Sequence, residues 1–267
     1  MATTTIPWGD GSGGNIYLTY PSASGDQTVQ VSSDANTGAA RSKVVTFTSG
    51  VGSIIRQLTI NQEAVAITPV FYDYLNFDGT AYIETDIYTP TNGSITCNLG
   101  NESVKASQSL FGQAGEQIGM ALGVYLGPST STTSRSYISR YQNNNGGQNL
   151  ALNFSYVMYN LFLTPKRVGI GTQSQTITKG SLARTTGIYI GKPFGSITQA
   201  FSGRVGTMRI YDSTVQNLTS FASFASYTPV YTLRPCTYNG EAGMWYVEGS
   251  KFFGNSADSG SLTASNE

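Results

Sequence analysis

Glu84-Thr85-Asp86 is where this chain of 267 residues sets two carboxylates at i and i+2. On a strand that spacing puts both on one face. Paired carboxylates are the equipment of glycoside hydrolysis, one as nucleophile or base and one as acid. A second catalytic acid is not evident beside them, so hydrolysis is the disfavoured reading and the chain is expected not to be an enzyme. There is no histidine. That removes Ser-His-Asp and Cys-His catalysis, His-ligated zinc and the usual near-neutral general base. Non-covalent chemistry is better provided for. Tyr137, Tyr141, Asn143, Asn144, Asn145 and Gln148, with Tyr156 and Tyr159 beyond them, form the richest run of aromatic and amide side chains. Aromatic faces stack on the C–H faces of pyranose rings, and amides bind sugar hydroxyls. The first six are the candidate glycan-binding residues. For any single one of them, packing in a core or between subunits is the plainer role.

The composition is that of an all-β protein, with 31 Gly, 17 Tyr and 12 Phe and few helix-forming stretches. Charged residues make up 11%, against roughly a quarter in ordinary soluble proteins. The surface must therefore be Ser, Thr, Asn, Gln and Tyr, which suits hydrogen-bonded contacts with glycans or neighbouring copies. Net charge is zero and no basic cluster exceeds Lys166-Arg167, so nucleic acid is not an expected partner. No run approaches the roughly 18 apolar residues of a membrane span, so no membrane insertion is expected. Cys97 and Cys236 are the two cysteines. Free buried thiols are expected rather than a single bridge. The opening residues carry no basic stretch followed by an apolar run, so no secretory signal is expected there.

Strands that could position these residues follow from alternation and turn signals. They are expected at Asn15–Tyr20, Gln27–Ser32, Lys43–Ser49 and Ile54–Gln62, after a flexible or pairing arm over Thr3–Gly14 that holds Trp8. Pro69 marks a boundary, giving units 1–67 and 68–267. In the second unit, strands are expected at Tyr74–Ile87, Gln108–Gly112, Gln117–Gly127, Arg135–Tyr141, Gln148–Thr164, Arg167–Thr178, Gly187–Lys192 and Ala200–Tyr211. Many short strands with frequent turns indicate a two-sheet sandwich. Thr214–Ala225 reads as one short helix after an Asp212/Ser213 cap. Gly169-Ile170-Gly171 reads as a β-bulge or a tight packing point.

Asn36-Thr37-Gly38-Ala39-Ala40-Arg41 and Leu58-Thr59-Ile60-Asn61-Gln62-Glu63 resemble the pre-hairpin turn and closing strand of a BACON domain, an immunoglobulin-like β-module. The resemblance covers Gln27–Glu63. Leu75-Asn76-Phe77-Asp78-Gly79 through Tyr82-Ile83, the run Phe201–Asp212, and the ending Pro235-Cys236 through Phe252-Phe253-Gly254-Asn255 resemble the laminin-G/concanavalin-like jelly roll. In the ending, Tyr246 stands where that family usually has Asp. The fold implied is all-β: a small immunoglobulin-like β-sandwich followed by a larger concanavalin/laminin-G-like jelly-roll sandwich.

Further expectations come with the resemblance. Concanavalin-like hydrolases use E-x-D-x-x-E, and Thr89 occupies the third position here, which argues again for a non-catalytic protein. Laminin-G folds often bind calcium through loop acids. Asp73, Asp78, Asp86 and Asp212 are the candidates, but none lies in a dense D-x-D-x-D loop. No cofactor is expected, with structural calcium the less favoured alternative to turn capping. The pairing of modules looks like virion surface proteins of phages of gut Bacteroidales, including crAss-like viruses. It implies a head fibre, capsid decoration or tail-fibre-type adhesin at the virion surface, held by capsid or tail proteins and facing host-surface or mucus glycans. Many copies would turn weak sugar binding into avidity, and a homo-oligomer is expected, a trimer being one form. The alternative is a secreted or cell-surface carbohydrate-binding protein of a gut bacterium.

Overall fold

The computed structural model describes residues 1–9, 11, 13–20, 28–36, 39–48, 55–64, 67–101, 108–114, 120–126, 134–141, 148–153, 159–180, 186–192 and 199–266, with backbone alone for 101, 114, 120–126, 134–140, 148–153 and 199. The chain is all-β and divides into two compact units, Met1–Ile67 and Thr68–Glu267.

In the first unit, β1 (Ala2–Pro7), β2 (Asn15–Tyr20) and β3 (Gln30–Ser33) make an antiparallel sheet in that order, and β4 (Arg41–Thr48) pairs with β5 (Ile55–Gln62). Ile16 and Leu18 alternate along β2 and are buried with Val45 of β4 and with Trp8, so the two sheets share one small core. The expected arm is thus an edge strand, in register from Ala2 opposite Tyr20 to Pro7 opposite Asn15. Trp8 belongs to the core, with the Arg41 guanidinium 4.4 Å from its ring centroid. Asn36 is buried, and its side-chain amide donates to the carbonyls of Ala39 at 2.8 Å and Glu63 at 2.6 Å. One amide therefore ties the turn before β4 to the residue after β5. The expected turn Ser49–Gly52 lies outside the described residues.

The second unit runs β6 (Val70–Phe71), β7 (Tyr74–Asp78), β8 (Ile83–Glu84), β9 (Ser94–Asn101), β10 (Gln108–Ala114), β11 (Met120–Leu126), β12 (Ser134–Tyr141), β13 (Gln148–Asn153), β14 (Tyr159–Leu163), β15 (Arg167–Ile170), β16 (Gln173–Thr176), β17 (Tyr189–Ile190), β18 (Gln199–Ala200), β19 (Ser202–Tyr211), β20 (Tyr231–Tyr238), β21 (Glu241–Tyr246), β22 (Lys251–Phe253) and β23 (Leu262–Ser265). One sheet has the order β13-β12-β11-β10-β17-β8, with β18 beside β10. The larger has the order β16-β15-β14-β9-β19-β20-β21-β22, with β7 against β19, β23 against β7 and β6 against β20. Ile83, Leu110, Phe111 and Ile190 of the first sheet bury against Ile95, Leu99, Leu161, Val168, Met208 and Ile210 of the second. This is a sandwich with one continuous core, each such side chain stabilising it by about 1.5–3 kcal/mol.

Alternation on β19 sends Met208 and Ile210 into that core and leaves Arg209 and Tyr211 on the outer face. A second cluster forms there. Phe162, Tyr211, Val215 and Phe224 are buried beneath the segment after β19, with the Tyr211 and Phe224 ring centroids 5.1 Å apart. The expected helix over Thr214–Ala225 is two 3-10 turns instead, Ser213–Val215 and Phe221–Ser226. Asp212 caps the first, accepting from the Thr214 N–H at 2.9 Å. The reason for the break is packing: Val215, Phe221 and Phe224 must all turn down onto the sheet over a short span, and 3-10 geometry suits such short pieces.

Other expected elements are subdivided. Gln148–Thr164 holds β13 and β14, and Arg167–Thr178 is the hairpin β15-β16, turning at Gly171, whose φ is +61°. Gly169 is a packing point rather than a bulge: a Cβ there would stand 2.1 Å from the Phe162 ring. Cys97 and Cys236 are free and buried, and burial raises the Cys97 thiol to about 12.

The end of β7 is fastened to the C-terminal segment by Asp78. Its carboxylate accepts from the N–H groups of Thr80 at 2.8 Å, Ala81 at 2.9 Å and Ser261 at 2.6 Å. Burial alone would raise this carboxyl, but the Ala81, Thr80 and Ser261 donors outweigh it and hold it below 3.8. Asp78→Ala is expected to cost about 1 kcal/mol, allowing for the side chain's exposure to water, or about 2–4 °C in Tm. The contribution is complete above pH 3.8. It is lost as pH falls through the lower folded-state value, because the unfolded chain takes up the proton first. Thermal melts of wild type and variant should therefore converge in acid; a constant gap would show that the carboxylate charge is not what fastens the segment.

Candidate functional site

Of the six candidate glycan-binding residues, Tyr141 has a described side chain. Tyr141 is 1% exposed and lies in the main core, its hydroxyl donating to the Gly93 carbonyl at 2.6 Å. It has no face to offer a sugar, because alternation places aromatics without saying which face of the strand is inward. Tyr137 pairs with Leu126 and Leu150, and Gln148 with Ser139, but their side chains lie outside the described residues, as do Asn143, Asn144 and Asn145 entirely.

Glu84 and Asp86 are exposed, and each has a partner. The Tyr189 hydroxyl, opposite Glu84 in register on β17, donates to the Glu84 carboxylate. Lys251 forms an ion pair with Asp86. The Lys192 ammonium lies 4.3 Å from the Tyr82 ring centroid and 4.7 Å from that of Tyr189. Thr89 is buried, its hydroxyl donating to Gln113. Of the calcium candidates, Asp78 and Asp212 accept from backbone N–H groups in turns. Among the described residues no three acids, cysteines or histidines converge as metal ligands would.

A continuous aromatic surface lies elsewhere, on the outer face of the larger sheet. The hairpin β20-β21 closes through Asn239-Gly240, with φ of +53° and +80°. Two successive positive φ values are what a two-residue hairpin turn requires, and Asn-Gly supplies them most readily. That register sets Arg234 opposite Trp245, and β21-β22 pairing sets Trp245 opposite Phe252. Met244 and Phe253 point into the core, so Trp245 and Phe252 must point out. The Tyr238 ring lies 5.2 Å from Trp245 and 5.5 Å from Phe252, centroid to centroid. All three rings are half-buried. Exposed Arg234 stands 4.0 Å over the Phe71 ring at the margin. A half-exposed, rigid apolar platform edged by hydrogen-bond donors can bind a flat amphipathic ligand such as a sugar ring.

No single stretch of sequence announces this surface. Its members come from three strands, and only the hairpin register gathers them. The available signal was the alternation Met244-Trp245-Tyr246 beyond an Asn-Gly turn.

No family model matches the chain, and no curated protein does. Among solved structures the chain is similar to a native heptameric SAP-like pentraxin from Limulus polyphemus, with a TM-score of 0.44 and 11% identity over 69% of this chain and 95% of that one.

Burial, followed by the bond to Glu84 and the charge of Glu84, raises the Tyr189 phenol to about 12. Glu84→Gln is expected to bring it part of the way back toward 10. The raised folded-state value means that stability from this pair is full below pH 10 and is lost as pH rises from 10 to about 12, since the unfolded chain releases its proton first. Ultraviolet titration of tyrosinate in wild type, Glu84→Gln and Tyr189→Phe would read the shift; coincident wild-type and Glu84→Gln curves would show that the pair does not form in solution.

Proposed function

We propose that this chain is a non-catalytic surface protein of a phage virion, in which the larger sandwich displays a glycan-binding face. The observation that carries the glycan part is the aromatic platform of Tyr238, Trp245 and Phe252, the Tyr238 ring tilted by 41° to Trp245 and by 36° to Phe252 and all three gathered by cross-strand pairing. A rigid platform has little conformational entropy to lose on binding. Its contact area is that of one or two sugar rings, so single-site affinity is weak and function rests on many copies, which an oligomer on a particle supplies. The virion part rests on the likeness of the BACON-like and jelly-roll segments to phage surface proteins. The low charge of the chain, 11%, also favours display in a crowded polar layer, where neutral hydrogen bonds make the contacts.

The platform contains Trp245, while the other tryptophan, Trp8, is buried in the first unit. A glycan bound there should therefore change tryptophan fluorescence through Trp245. Screening the full chain against host-surface and mucus glycans is expected to give weak, saturable binders. Trp245→Ala should weaken them roughly tenfold or more, and Trp245→Phe much less. Antibody to the chain should decorate intact phage particles. Glycan binding indifferent to Trp245 would remove the platform. Recovery of the protein only in bacterial culture fluid or at the cell surface would move the assignment to a bacterial carbohydrate-binding protein. Steady release of reducing sugar, lost in Glu84→Gln, would make it an enzyme.

A further inference from the structure

A second concavity lies on the same outer sheet face, between the sheet and the 3-10 turn Phe221–Ser226, with a volume of about 310 Å³. Thr96 and Arg209 are register partners on β9 and β19 and form its sheet side with Tyr211; Phe221 and Tyr227 flank it from the turn. Arg209 is half-buried and is engaged by none of the described carboxylates. Its other register neighbour is Thr232 on β20, whose N–H is taken by Glu248 at 2.7 Å. Among the described residues the pocket thus holds one positive charge and no negative one, next to a hydroxyl residue and aromatic faces. A half-desolvated guanidinium without an anion is an unmet electrostatic demand.

We propose that this pocket binds the carboxylate of an acidic sugar residue, a uronic or nonulosonic acid. One guanidinium balances one negative charge, and its two parallel N–H donors match the two oxygens of a carboxylate. The volume lies at the small end of ligand pockets, about 300 Å³, room for one sugar ring. Tyr227, 42% exposed, and Phe221 offer faces for that ring. The carboxylate follows from Arg209; the choice of a sugar to carry it rests on the glycan-binding reading above.

The test titrates the full chain with methyl glucuronide and with methyl glucoside, which differ at the carboxylate, following amide NMR shifts. The glucuronide is expected to bind about tenfold or more tightly than the glucoside. Arg209→Gln should abolish the preference, and Arg209→Lys, which keeps charge but not the fork, should retain part of it. Circular dichroism melts of both variants report folding, and Tyr227→Ala, away from the sheet, should weaken both ligands. Equal binding of the two sugars, or a preference that survives Arg209→Gln in a folded variant, would overturn the proposal. So would tighter binding of acetate than of glucuronide. If these failures occur while Trp245-dependent binding of neutral glycans persists, the pocket assignment falls and the platform reading stands. If no glycan binds in either assay, both fall.

Discussion

Strand β19 is bonded along both edges and covered on both faces, and the rest of the larger unit is placed by that fact. One edge carries β9; the other is shared in series by β7 and β20. Inward, Met208 and Ile210 join the core between the sheets. Outward, Tyr211 is sealed beneath Phe224 and Val215. A one-residue slip would turn Arg209 into the core and Met208 out of it. Because β20 is paired to β19 from Met208 opposite Leu233, the hairpin β20-β21 and then β22 inherit a fixed position. The aromatic platform lies one to three strand pairings from β19, yet it is set by the same register.

A chain with few charges must use each one locally. Several cations lie over aromatic rings: Arg41 over Trp8, Arg204 over Tyr74, Arg234 over Phe71 and Lys192 over Tyr82 and Tyr189. Such contacts let a cation stem cover apolar surface while its charge meets the ring face. Buried polar side chains are likewise tied by neutral hydrogen bonds, as with Asn36 to two carbonyls and Thr89 to Gln113. Cohesion of this kind is little affected by salt. Against that pattern Arg209 stands out, since its neighbours could stack on it but none of the described residues neutralises it.

The all-β class and most strands could be read from the sequence because Val, Ile, Tyr and Thr alternate between Gly- and Asn-rich turns. Asn15–Tyr20 is the clearest case: Ile16 and Leu18 bury and their neighbours do not. Alternation gives a strand two faces but does not say which is inward; Tyr141, a glycan-site candidate whose plainer role is packing, lies in the core. Glycine within a strand-like run can mark a bulge, a packing point or a turn, so β15-β16 reads as one strand although Gly171 reverses it. Thr214–Ala225 reads as a helix on the strength of its Asp212/Ser213 cap. The cap is real, but the second apolar cluster on the sheet dictates the geometry that follows it.

Both proposed binding surfaces are illegible in the sequence for a further reason. Tyr238, Trp245 and Phe252 become neighbours only through two hairpin registers, and Thr96 meets Arg209 across more than a hundred residues of chain. Neither group has a motif, because strand pairing gathers the platform, and the pocket adds the 3-10 turn Phe221–Ser226 laid over paired strands. That origin also constrains what the surfaces can do. Side chains standing on adjacent strands are spaced by the sheet at about 5 Å, and converge less than residues gathered on loops at a sandwich end. Surfaces of that form present area and stacking rather than enclosing a reacting atom. Under the proposed function they suit repeated, weak and reversible attachment, for which strength comes from the number of copies engaged.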